Sequence, residues 1–210
     1  MTKKFSLNRQ IKITLLAAMA FILMYFDFPL PIFPSFLKID LSDLPALIGA
    51  FALGPIEGVV IELLKNILHV LFKGTQTALV GETANFIVGS VMVFISGYFY
   101  RKNKTRKSAI VGLTIGVISM TLLASLINYF VLIPTYAKVF KMPLDAIIAM
   151  GSKINGNITD LSSLIVWAIV PFNLLKGIAV SIVTAGIYKS VSPLIHKEEI
   201  LVDEKKYAKN

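Results

Sequence analysis

The sequence holds no cysteine among its 210 residues. That excludes disulfide scaffolds, thiolate metal sites, iron–sulfur clusters and cysteine nucleophiles. Histidine is nearly absent as well: His69 and His196 are too few for a multi-histidine metal centre. Charge is thin, with Asp, Glu, Lys and Arg at 16% where a soluble domain carries about 25%. No G-x-x-x-x-G-K-S/T is present, so no ATP is hydrolysed through a P-loop. No G-x-S-x-G serine elbow is present either. What remains is 56% hydrophobic with a mean hydropathy of +0.76. Such a chain has too little polar surface for a water-soluble globule and reads as one compact polytopic membrane domain.

The formal net charge is +9, and its distribution argues against nucleic acid. The cations fall in blocks beside apolar runs, which is a membrane-orientation signal. A membrane helix needs about 20 apolar residues. Six spans are expected: 11–26, 44–53, 59–72, 82–100, 109–133 and 161–188. The second and third are short enough to be one broken hairpin. The fold class is therefore an all-α bundle of six transmembrane helices. Residues 1–195 form the membrane domain, and 196–210 form a charged cytoplasmic tail.

Fourteen of the 21 Lys and Arg then lie on one face, in the N-terminal segment, the 101–107 loop and the C-terminal segment. Five lie opposite, at Lys38, Lys73, Lys138, Lys141 and Lys153. The positive-inside rule places both termini in the cytoplasm of a cell membrane. The outward segments are 27–43, rich in proline, and 134–160, with a short amphipathic helix expected at 144–150.

Polar residues within apolar spans are costly and mark functional candidates. Asn173 and Lys176 share a helix face behind Pro171, which is expected to bend the helix. An amide and an ammonium there can hydrogen-bond a planar heteroaromatic edge, or form an internal pair with Glu62 or Glu82. Asn128 lies near the outward end of the fifth span, beside Tyr129, an interfacial anchor or a ligand contact. Glu62, Asn66 and His69 lie close to one stripe of the third span, with Lys65 three residues after Glu62, read as a buried ion pair with its neighbours. Glu82 and Asn85 open the fourth span, as cap or as ligand contacts. With the Asp40/Asp43 loop, these residues predict an apolar pocket with a few polar groups, open to the outside.

Several stretches carry a family resemblance. They are Phe36-Leu37-Lys38-Ile39-Asp40-Leu41-Ser42-Asp43-Leu44-Pro45, Gly54-Pro55-x-x-Gly58, Glu62-Leu63-Leu64-Lys65-Asn66, Gly81-Glu82-x-Ala84-Asn85-Phe86, Asn128-Tyr129 and Pro171-Phe172-Asn173-Leu174-Leu175-Lys176-Gly177. In order and spacing the chain resembles the riboflavin-specific substrate-binding S components of energy-coupling factor (ECF) vitamin transporters. The resemblance implies capture of riboflavin from outside and delivery to a T-component membrane scaffold driven by two cytoplasmic ATPases. Riboflavin is then cargo, and no cofactor or catalytic residue is implied. Asn173 and Lys176 would meet the polar edge of the isoalloxazine ring, and Asn128 and Asp40 the ring or ribityl hydroxyls. The Lys38–Asp43 loop would help close the site, with Asn85 and Glu82 on its wall.

Family members carry Ala-x-x-x-Ala in the first helix, where the scaffold docks through small residues. This chain departs from that pattern: Ala17 is followed by Phe21 and Ala18 by Ile22. The nearest small pairs are Thr14/Ala18 and, outside strict spacing, Ala17/Ala20, so the first helix remains the expected docking face through Thr14, Ala17 and Ala18. The alternatives are an S component for another vitamin or a flavin nucleotide, a solitary ion-coupled carrier using Glu62 and Lys65, and an intramembrane enzyme using Glu62 and His69.

Overall fold

The computed structural model describes residues 7–187 apart from Gln76. The expected 196–210 tail and most of the terminal cations lie outside the described residues. Helix α1 spans Leu7–Tyr25. A two-residue ribbon follows, β1 (Phe28–Pro29) against β2 (Lys38–Ile39), antiparallel with Phe28 opposite Ile39. Then come α2 (Asp43–Ala52), α3 (Pro55–Lys73), α4 (Val80–Asn103) and α5 (Arg106–Val139). The short α6 (Leu144–Ser152) leads to α7 (Leu161–Ile187).

Each expected span therefore carries a helix. Four of them, α1, α4, α5 and α7, are long and apolar enough to cross a bilayer. At ten residues, α2 reaches only about 15 Å, half the hydrocarbon thickness of about 30 Å. On α1, Ile11, Leu15, Met19 and Ile22 are all at least half exposed. Ile13, Ala17 and Ala20 are buried, so the helix has one apolar face for lipid and one for the bundle.

The joints have local causes. Gly54 takes φ +134°, open to glycine and strained for other residues, and Pro55 starts α3 with its φ already fixed. Arg9 clamps this turn to α1 by donating to the Leu53 carbonyl (3.1 Å) and pairing with Glu57. Thr105 and Ser108 form a reciprocal capping box at the start of α5. Asp160 and Ser163 do the same for α7, and the Ser163 N–H and hydroxyl hold the Asp160 carboxyl below its ordinary pKa.

Two helices depart from the expected pattern at prolines. The fifth helix continues through Pro134 to Val139, where the sequence suggests an outward loop. A π-helical turn at Asn128–Leu132 precedes that proline, and another at Ile165–Ile169 precedes Pro171. Proline lacks an N–H and crowds the carbonyl four residues back. A widened turn just upstream lets each helix continue past the proline.

One apolar core joins α1 to α5 with α7 through Leu47, Ile61, Met92, Val117 and Val180. A second joins the end of α5, α6 and the start of α7 through Ile133, Ile147, Ile165 and Ile169.

Candidate functional site

A cavity of about 590 Å³ is bounded by residues of both cores. Asn173, Lys176, Asn128, Asp40, Lys38, Asp43, Asn85 and Glu82 all lie on its wall. The structure thus brings these eight ligand candidates from the sequence onto one cavity. Phe36, Phe172, Tyr136 and Phe140 supply the aromatic part of the lining. Tyr129 is not on the wall; it packs edge-on against Phe130, and both rings are exposed.

The floor is a buried ion network. Lys176 Nζ lies 3.1 Å from Asp40 Oδ2 and 3.4 Å from Asp43 Oδ2. Lys65, fully buried, pairs with Asp43 and donates to the Ser42 hydroxyl at 2.8 Å. Its ammonium also sits 2.7 Å from Glu62 Oε2, a charge contact without an aligned hydrogen bond. The Ser42 N–H donates to Asp40 Oδ1 at 2.8 Å, which fixes the second oxygen of that carboxylate. Two ammoniums thus bind three carboxylates together in a space where none of these groups could be buried alone.

The network reads differently from the sequence in one respect. Lys176 is matched by Asp40 and Asp43, while Glu62 belongs to Lys65 and Glu82 accepts from threonines. Gly89 on α4 makes the arrangement possible. A Cβ there would lie 2.7 Å from Glu62 Oε2 and 3.2 Å from Asp43 Oδ1.

The amides occupy the walls above the floor. Asn173 donates to the Ile169 carbonyl and Asn128 to the Ala124 carbonyl, each at 2.8 Å. Both acceptors are four residues back, so each side chain is held against its own helix with its oxygen and second N–H remaining to offer. Both asparagines stand beside the π-helical turns, Asn128 inside one and Asn173 just after the other.

The mouth is a second polar ring. Glu82 accepts hydrogen bonds from Thr77 (2.7 Å) and Thr75 (3.1 Å). Asp27 bridges Lys73 (2.5 Å) and Lys38 (3.3 Å) and so ties the end of α1 and β2 to the end of α3. Burial alone raises the Asp27 carboxyl, but the two lysines outweigh it and hold its pKa below the ordinary value of 3.8. The sequence reading missed Asp27, Lys73, Thr77 and Tyr136 as wall residues. Lys73 was accessible to it, since it continues the stripe of Glu62, Asn66 and His69. Asp27 was not, because the ribbon that carries it back over the cavity is a tertiary feature.

On α1, Thr14 is exposed and Ala18 half-buried. Ala17 is only 1% exposed and packs into the bundle. A docking scaffold would therefore meet Thr14 and Ala18 rather than Ala17.

Comparison with known proteins gives one consistent result. The family model "ECF transporter, substrate-specific component" matches residues 8–188. The riboflavin transporter RibU of Staphylococcus aureus is 37% identical over 190 residues, 90% of this chain and 93% of that protein. The riboflavin transporter FmnP of Bacillus subtilis is 32% identical over 192 residues, 91% of this chain and 95% of that protein. A solved structure of the S component of a bacterial ECF transporter superposes with a TM-score of 0.70 at 35% identity. The match covers 90% of this chain and 97% of that one.

Proposed function

This chain belongs to the family of ECF transporter substrate-specific components, and from that premise we propose that it captures riboflavin from outside the cell. It is a multi-pass cell-membrane protein and a transport subunit rather than an enzyme. It hands its cargo to a T-component scaffold powered by two cytoplasmic ATPases. The observation that carries the reading is the cavity: an apolar and aromatic hollow of about 590 Å³ with Asn128, Asn173 and Lys176 on its wall. A flat ring system with one imide edge needs apolar faces and a few directed polar groups, and this lining offers both. Asn173 and Lys176 take the imide edge, and Asn128 the adjoining ring atoms. Asp40 and Asp43 act chiefly by holding Lys176, and Lys38 by tying the ribbon over the mouth.

All six long or medium helices, α1 to α5 and α7, form the membrane bundle, with both termini cytoplasmic. Supporting this, the cation-rich 101–107 loop and Arg9 lie at the helix ends opposite the cavity mouth. The T component docks on α1 at Thr14 and Ala18.

Titration of the detergent-purified protein with riboflavin, read by flavin fluorescence, tests the proposal. Quenching should saturate at one ligand per protein. Asn173→Ala should weaken binding about tenfold, the effect of losing a directed hydrogen bond in a dry site. A folded sample that neither carries nor quenches flavin overturns the assignment.

A further inference from the structure

One polar side chain on the cavity wall has no hydrogen-bond partner among the described residues. His69 lies on α3 one turn beyond Lys65 and is 9% exposed. Neither Nδ1 nor Nε2 has a hydrogen-bond partner. A neutral imidazole presents one donor and one acceptor, and buried polar atoms in folded proteins are nearly always satisfied. Here the partners must come from what fills the cavity.

A second orphan stands on the neighbouring helix. Asn85 on α4 also lines the cavity, and its Oδ1 is buried without a partner. Helices α3 and α4 pack directly against each other. The polar groups nearer the mouth are already committed, Glu82 to Thr75 and Thr77, and Lys73 to Asp27. The cavity thus has one wall with a free imidazole and a free carbonyl, and another, on α5 and α7, with Asn128, Asn173 and Lys176.

The two walls suit different chemistry. An ammonium and an amide fit the fixed donor–acceptor pattern of a planar imide edge. A mixed donor–acceptor imidazole beside a carbonyl fits hydroxyl groups, which donate and accept at once. We infer that His69 and Asn85 form a hydrogen-bonding subsite for the hydroxylated chain of the cargo. This rests on the reading of the cargo as riboflavin, in which the polyol is the ribityl group.

The test compares two flavins on the full-length protein. Lumiflavin keeps the ring and replaces the ribityl chain with a methyl group. Riboflavin and lumiflavin are titrated by fluorescence quenching against wild type, His69→Leu, His69→Gln and Asn85→Leu. His69→Leu and Asn85→Leu should each weaken riboflavin about tenfold and leave lumiflavin unchanged, which also shows that the variants are folded. His69→Gln, which keeps a donor and an acceptor, should recover most of the riboflavin affinity. Parallel weakening of both flavins, or no change in either, overturns the subsite while leaving the riboflavin reading intact. Failure of the wild type to bind either flavin overturns that reading and the subsite with it.

Discussion

Replacing Lys65 with methionine removes one ammonium from the floor network and nothing from the cavity wall. Lys65 has no solvent exposure and serves Asp43, Glu62 and the Ser42 hydroxyl together. Methionine fills most of its volume, so the loss is electrostatic. Asp43 keeps only Lys176 at 3.4 Å, and Glu62 keeps no cation. Removing one member of a buried ion pair costs about 3–5 kcal/mol, mainly because the charge left behind is uncompensated. Against a typical total of about 5–15 kcal/mol that is a large fraction. For a chain of this size it corresponds to a fall of roughly 10 °C in the melting temperature. The matching control is the double variant Lys65→Met with Glu62→Gln, which removes the stranded carboxylate and should regain more than half of the loss. Thermal unfolding in detergent, followed by circular dichroism at 222 nm, reads both. A single variant that melts with the wild type, or a double variant no better than the single, would refute the network as described.

Other perturbations have equally direct readouts. Gly89→Ala drives a methyl group to within 2.7 Å of Glu62 Oε2. Overpacking of this kind costs about 1–3 kcal/mol, so thermal unfolding should show a clear drop, and an unchanged melting temperature would mean that α4 stands farther from the network. Asp27 has its folded pKa lowered, so its pairing with Lys73 and Lys38 stabilises the fold above the unfolded value and is lost as pH falls through the lower folded value. The melting-temperature gap between wild type and Asp27→Asn should therefore be flat from about pH 5 to 8 and shrink only below its ordinary pKa of 3.8. Thr14→Trp places bulk on the exposed side of α1 and should abolish co-purification with the T component while leaving the riboflavin titration unchanged.

Hydropathy alone determined the class of this protein, the position of every main helix and the polar residues embedded in them. Those signals are local: a run of apolar residues, a spacing of three or four, a block of lysines beside a span. They sufficed to name eight of the polar wall residues, though not Asp27, Lys73, Thr77 or Tyr136, because an amide or a charge in an apolar helix needs a cavity or a partner wherever it sits. The tertiary structure decided which of the two each residue has. Asp40 lies 136 positions from Lys176 yet holds its ammonium, and no periodicity links the two. Ion pairs between elements depend on how the helices pack and on where Gly89 lets α4 approach. The passage of α5 through Pro134 was likewise settled by a widened turn that the residue types do not announce. His69 shows the division most plainly: the sequence placed it on the right stripe, and only the packed bundle left it facing a cavity with no partner of its own.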